Sequence, residues 1–155
     1  MMDLAPRVAL VGSSGGHLAQ LMALKPWWEH HRRFWVTFNK PDAHAALAGE
    51  RAYWCHSPTN RNLFNLVRNA WLAFRVLRRE RPHLIVSTGA GPAVPFFYVG
   101  KLFFGARTIF IEVVDRVNRP TLTGRIVRPV TDQYVVQWPE QQQLYPNAAV
   151  IGRLI

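Results

Sequence analysis

The chain has 155 residues, 49% hydrophobic and 18% charged, which suffices for one domain with its own core and excludes a disordered chain. A single cysteine, Cys55, excludes a disulfide framework and a cysteine-based zinc site within the chain. Nineteen basic residues, sixteen of them Arg, stand against nine acidic ones. The resulting +10 suits a polyanionic partner (an anionic membrane, a phosphorylated substrate or nucleic acid), or is simply a basic solvated surface.

The predicted elements alternate. Arg7–Gly12 reads as a first strand rather than the apolar core of a signal peptide. No apolar run approaches the roughly 18–20 residues that span a bilayer, so the chain is expected in the cytoplasm. Gly16–Leu24 has helical spacing and should stop at Pro26. Arg33–Phe38 alternates as a strand, Asp42–Gly49 is a short Ala-rich helix, and Arg51–His56 a third strand leading into a loop around Ser57-Pro58-Thr59-Asn60. Asn62–Glu80 is a long helix ending before Pro82. His83–Ser87 is an apolar strand, Ala93–Phe104 an apolar helix and Thr108–Val114 a strand. A short helix over Thr121–Val127 precedes strands at Gln133–Gln137 and Ala149–Ile151. Strands alternating with helices imply parallel βαβ units, hence an α/β fold with an open, Rossmann-like parallel sheet.

Two turns carry candidate chemistry. Gly12-Ser13-Ser14-Gly15-Gly16-His17 follows the first strand and opens the first helix, at the carboxyl edge where open α/β sheets bind ligands. Glycines there admit a ligand close to the backbone, and free amides attract phosphate; the alternative is a tight turn that merely needs glycine. The spacing departs from the G-x-G-x-x-G dinucleotide fingerprint, which disfavours NAD. His17 is either a general base near neutral pH or an ordinary helix-start residue. Ser87-Thr88-Gly89-Ala90-Gly91-Pro92 repeats the logic at another strand end, with Pro92 at an early helix position. The pair suggests one cleft spanning both turns. Glu112 stands within an apolar strand, followed by Asp115, Arg116 and Arg119. It is either salt-bridged to Arg or a cleft residue that orients a hydroxyl or a base.

The helix Asn62–Glu80 makes the clearest surface statement. At about 100° per residue, Leu63, Leu66, Val67, Ala70, Phe74 and Leu77 share one face, expected to be core. Arg61, Arg68, Arg75 and Arg79 share the opposite side, with Phe64 and Trp71 at the boundary. This is an amphipathic helix laid on the sheet, or one whose Arg and aromatic side faces a bilayer. The six Trp and nine Phe add weight to the membrane side. Ala93–Phe104 is too short to span; it is buried or dips into the interface.

Taken in register, GSSGGH (12–17), STGAGPAVPFFYVGKL (87–102), IFIEVVDRVNRPTLTGRIV (109–127) and VVQWPEQQQLYPNAAVIGRL (135–154) closely resemble a known family. It is the acceptor-side, membrane-recruiting subunit of two-piece oligosaccharide glycosyltransferases. Bacterial members are the PssD type; the eukaryotic counterpart is the membrane-anchor subunit of the UDP-GlcNAc transferase adding the second GlcNAc to dolichyl-diphosphate-GlcNAc. The resemblance covers nearly the whole chain. It implies that residues 1–155 form the equivalent of the N-terminal half of a GT-B glycosyltransferase, the donor-binding half being a separate chain. The length agrees, since a full GT-B enzyme needs two Rossmann-like domains.

The resemblance further implies sugar transfer from a UDP-sugar, UDP-GlcNAc or similar, to a lipid-diphosphate-linked saccharide, inverting and without metal or other cofactor. The partner would hold most of the UDP-sugar, and this chain would be inactive alone. The first turn is also similar to the glycine-rich loop of MurG-type transferases. Carried over, His17 and Glu112 become catalytic candidates, and Ser13, Ser14, Gly15, Gly16, Thr88, Gly89, Ala90, Gly91 and Arg116 acceptor or phosphate ligands. Arg61, Arg68, Trp71, Arg75 and Arg79 become the membrane surface. Eukaryotic relatives begin with a transmembrane helix, whereas this chain starts at strand one. Attachment is therefore expected to be peripheral, at the cytoplasmic face. Trp138–Ile155 is expected to dock the missing half. A non-catalytic anchoring scaffold is the alternative, and a nucleic-acid-binding domain, suggested by charge alone, is set aside.

Overall fold

The computed structural model describes residues 6–154. Residues 1–5 and the last residue of the expected docking segment, Ile155, lie outside the described residues. Among these, seven strands form one parallel sheet: β1 (Arg7–Gly12), β2 (Arg32–Phe38), β3 (Ala52–Cys55), β4 (Leu84–Gly89), β5 (Arg107–Ile111), β6 (Gln133–Val136) and β7 (Ala149–Val150), in the order β3-β2-β1-β4-β5-β6-β7. The chain winds outward to β3, returns past β1 and continues through β4, so the order reverses between β1 and β4. In open parallel sheets this switch point opens a crevice beyond the strand ends.

The strands are apolar on both faces because helices cover both. On one side α1 (Gly16–Met22), α2 (Lys25–Trp28) and α3 (Pro41–Ala46) supply Leu18, Leu21, Trp28 and Ala43 to a core with Val8, Leu10, Trp35, Val86 and Ile111. On the other, α4 (Leu63–Glu80) and α5 (Ala93–Phe104) bring Ala73, Val76, Leu77, Phe96 and Phe97 onto Ala9, Val11, Phe34, Ile85 and Phe110. The short α6 (Leu122–Ile126) lies on this second side, where the α5 residue Tyr98 donates its hydroxyl to the Ile126 carbonyl at 2.7 Å.

Several boundaries differ from expectation. Helix α1 ends at Met22, and Pro26 opens α2 instead of merely stopping α1; a missing N–H costs nothing in a first turn. Pro41 likewise starts α3, which ends at Ala46 rather than Gly49. Strand β4 extends to Gly89, whereas β5 ends at Ile111, leaving Glu112 just beyond it with its amide on the Val135 carbonyl.

The larger correction concerns α4. Its buried face is Asn65, Asn69, Ala73, Val76, Leu77 and Glu80, whereas Leu63 is 74% and Val67 61% exposed. Polar partners set this rotation. Glu80 is buried under Arg7 and Arg51 with the Tyr53 hydroxyl donating to it, and Asn69 bonds both backbone groups of His56. Each of those groups would be costly to bury unpaired.

Candidate active site

Both glycine-bearing turns open at the switch point, where Gly12 pairs with Gly89 across β1 and β4. His17 joins them. Its Nδ1 lies 2.9 Å from the Thr88 carbonyl, and the Thr88 hydroxyl donates back to the His17 carbonyl at 2.7 Å. A carbonyl only accepts, so Nδ1 carries a proton and Nε2 is the ring nitrogen left for other partners. Gly89 adopts φ +112°, and a Cβ there would meet His17 Cε1 at 3.4 Å; a side chain would be both strained and crowded against the ring.

Beside these turns lies an open cleft of about 1100 Å³. Ser13, Ala90 and Gly91 form one wall and the 57–62 loop another, while Val94, Leu66, Leu122 and Ile126 give it an apolar end. The loop is held by a set of asparagines on α4. Asn62 caps the helix by accepting from the Asn65 amide, Asn65 donates to the Pro58 carbonyl, and Asn69 pins His56. Gly91 has a separate reason to be glycine: a Cβ there would lie under 3.0 Å from three Thr59 side-chain atoms, so the loop seats directly on it. His56, at the loop's start, has its pKa lowered by burial and by the nearby Arg68 charge, which favours the neutral ring.

The expected site residues divide. Ser13, Ala90 and Gly91 stand in the cleft wall, and Thr88, Gly89 and His17 adjoin it through the β4 turn. Ser14 is half-buried, and Gly15 and Gly16 are exposed. The Gly15 amide already donates to the Asp42 carboxylate at 2.8 Å, so this amide, expected to meet phosphate, is occupied by a side chain of the same molecule. Arg116 is exposed on the loop after β5.

Glu112 is neither salt-bridged to Arg nor cleft-facing. It is fully buried, with Oε1 accepting from the Val113 amide and Oε2 from the Thr121 amide and the Tyr145 hydroxyl, the latter at 2.7 Å. Burial and the adjoining carboxylate push the Tyr145 pKa up, which keeps its hydroxyl a donor. Gly124 packs against this pair; a Cβ there would fall 3.1 Å from Glu112 Oε2 and nearer still to the Tyr145 hydroxyl.

The QWPEQQQ segment braces the same loop by its side chains. Gln137 donates to the Glu112 carbonyl, Trp138 to Val114, Gln141 to Val113 and Arg116, and Gln143 to Val117. Gln137 also donates to Gln20 of α1 and accepts from the Leu154 amide, tying the C-terminal segment to the His17 helix. Sequence reasoning missed this brace and the asparagine set. The available signals were Asn at spacings of three and four within a helix, and a Gln cluster beside Trp-Pro.

The outer surface of the second helical layer is unusually apolar. Leu63, Phe64, Val67 and Trp71 on α4, Leu102 and Phe103 on α5, and Leu122 on α6 are each at least 61% exposed. Phe74 links the two long helices, with Trp71 stacked on it and Phe103 edge-on. Arg68, Arg75 and Arg79 flank this band, all exposed; Arg61, expected with them, precedes the helix and lines the cleft instead. No helix among the described residues is long and apolar enough to cross a membrane. Nor do they gather three or more His, Cys, Asp or Glu in a group able to hold a metal.

Three comparisons place this arrangement. At the level of fold, the chain is similar to Acinetobacter baumannii MurG (TM-score 0.74, 14% identity, 95% of this chain and 46% of that one). It is equally similar to Staphylococcus aureus MnaA, solved with UDP (TM-score 0.76, 9% identity, 96% and 45%). Among curated proteins, the human UDP-N-acetylglucosamine transferase subunit ALG14 is 29% identical over 99 residues, 60% of this chain and 45% of that protein. The Yarrowia lipolytica ALG14 subunit is 34% identical over 89 residues, 54% and 41%. The matches thus cover less than half the length of these relatives. The family model described as "Oligosaccharide biosynthesis protein Alg14 like" matches residues 36–154, which include the β4 turn, the cleft loop, the exposed helices and the Gln brace. The chain belongs to the Alg14-like family of oligosaccharide biosynthesis proteins.

Proposed function

We propose that this chain is the acceptor-side subunit of a two-chain glycosyltransferase that moves a sugar from UDP-GlcNAc, or a similar UDP-sugar, to a lipid-diphosphate-linked saccharide. The observation that carries the reading is the His17 imidazole, oriented by Thr88 at the switch point with Nε2 as its basic nitrogen. In the reaction Nε2 takes the proton of the acceptor hydroxyl. The oxygen then bonds to the anomeric carbon of the donor sugar, and the bond to UDP breaks with its electron pair leaving on the diphosphate. The donor half and most of the UDP contacts come from a separate chain. Its docking surface includes the C-terminal segment, whose Leu154 amide is already tied to Gln137.

Glu112, buried and fully partnered, acts as a positioning residue for the loop after β5 rather than as the base. The exposed apolar band with Arg68, Trp71, Arg75 and Arg79 rests on the membrane surface, at its cytoplasmic face. There an interfacial helix places aromatic side chains among lipid headgroups and Arg on anionic phosphates.

The test is transfer from UDP-GlcNAc to a lipid-diphosphate-linked GlcNAc, with this chain alone, with its partner chain, and with His17→Ala in the complex. Turnover should require both chains, and His17→Ala should lower it about 100- to 10,000-fold with assembly intact. Robust turnover by the single chain sinks the two-chain reading. Full activity of both His17→Ala and Glu112→Gln leaves this subunit as an anchoring scaffold.

A further inference from the structure

The cleft beside the glycine turns has a chemical polarity that the acceptor reading leaves unused. Its lining contains two cations, Lys40 and Arg61, and no carboxylate. Four basic side chains elsewhere are held in ion pairs: Arg7 and Arg51 with Glu80, Arg33 with Glu50, and Lys101 with Asp132. Lys40 and Arg61 make no ion pair among the described residues, so their charge remains available to a ligand.

Arg61 is also held in an unusual way. Its backbone is left-handed, φ +49°, as is that of Ala90, φ +69°, on the opposite wall. Such conformations persist in non-glycine residues only where the surroundings over-determine them, and they cluster at ligand clamps. Here the surroundings are the Asn62 cap on one side and the Asn65 bond to the Pro58 carbonyl on the other. The volume, about 1100 Å³, slightly exceeds that of small-molecule sites, roughly 300–1,000 Å³. From the cations the wall continues into Leu66, Leu122 and Ile126, and then without a break into the exposed band of Leu63, Val67 and Trp71 on α4.

The geometry points to a binding site for an alkyl diphosphate. Lys40 and Arg61 hold the diphosphate, and the Leu66, Leu122 and Ile126 wall takes the first part of the hydrocarbon, which leaves along α4. This rests on the acceptor-side reading and adds where the acceptor's anion and tail lie. The diphosphate is gripped from the 57–62 loop and Lys40, not by the Gly15 amide that Asp42 occupies. Two cations lining one cleft suit the paired charges of a diphosphate, and an amphiphile matches a lining that holds both cations and apolar side chains.

The experiment is calorimetric titration of the full-length chain, alone and with its partner chain, using farnesyl diphosphate below its micelle concentration. Inorganic diphosphate and farnesol serve as half-ligands. Farnesyl diphosphate should bind at least tenfold tighter than either. Lys40→Glu with Arg61→Glu should weaken it tenfold or more without altering farnesol binding. Ile126→Asp should weaken farnesyl diphosphate but not inorganic diphosphate. Arg61→Gly, which suits the left-handed backbone, removes the charge while keeping the loop, and should reproduce part of the loss with an unchanged melting temperature. Pelleting with phosphatidylglycerol vesicles should survive the Lys40/Arg61 pair of changes, because Arg68, Arg75 and Arg79 remain, which separates a lipid surface from a bound diphosphate. If farnesyl diphosphate binds the charge-reversed protein as tightly as the unmodified one, this site is wrong and the acceptor reading stands. If it binds neither protein, with or without the partner, both fall.

Discussion

Replacing Gly91 by Ala tests whether the cleft depends on the seat between the β4 turn and the 57–62 loop. The new methyl carbon would lie 2.7 Å from Thr59 Cγ2 and closer still to its Cβ and Oγ1, whereas ordinary contact begins at 3.4 Å. The clashing atoms all belong to one side chain, so the loop must retreat by roughly 1 Å, taking Arg61 with it. Overpacking of this kind costs about 1–3 kcal/mol. For a domain of this size that lowers the melting temperature by about 2–4 °C per kcal/mol. Thr59→Gly removes all three clashing atoms, at about 0.5–1 kcal/mol for the added chain freedom. The double variant should therefore recover most of the loss, a coupling of about 1–2 kcal/mol in a double-mutant cycle read by thermal melts. Acceptor affinity should follow the same pattern, falling in Gly91→Ala and returning in the double variant. An unshifted melt for Gly91→Ala, or a double variant no better than the single, would refute the packing account.

Other expectations follow from the same contacts. Glu112→Gln places an amide donor against donors and should lower stability by about 1–3 kcal/mol in urea unfolding, with Tyr145→Phe milder because it only removes one partner. Reversing Arg68, Arg75 and Arg79 to Glu should weaken binding to anionic vesicles about 100-fold or more, at about 1 kcal/mol per cation removed, with only a small drop in the melt from the lost Arg68 bond to Asn65; unchanged pelleting would mean the stripe faces something else. Deleting residues 152–155 removes the Leu154 bond to Gln137 and should reduce co-purification of the partner chain more than it lowers the melting temperature. Burial alone would raise the Asp132 pKa, but hydrogen bonds from Lys101 and Thr108 outweigh it and hold the group below its ordinary 3.8. Its contribution to stability is thus complete above that value and lost as pH falls further, so Asp132→Asn should flatten the acid limb of the stability profile, and an unchanged limb would count against the pair.

The alternation of apolar runs, glycine turns and helical spacing was enough to read the parallel sheet and both ligand-side turns from the residues alone. Period and turn chemistry are local properties, so β1, α5 and the first glycine turn stand where the pattern put them, while β4 runs on to Gly89 into the second. Resemblance across four segments carried the family, because those segments recur in register. What failed was long-range. The α4 pattern suggested Leu63 and Val67 for the core, yet the helix is turned to bury Asn65, Asn69 and Glu80, whose partners come from the 56–58 backbone and from Arg7, Arg51 and Tyr53. For Glu112 the residues left an Arg salt bridge and a cleft role open, and neither holds, because Tyr145, 33 residues on, closes over it. Lys40 and Arg61 carried no sequence signal as a pair; they line one cleft only because the loop after β2 and the start of α4 both border it. Burying a polar group requires a partner in three dimensions, and which partner arrives is decided by how distant elements pack, not by the spacing of neighbours along the chain.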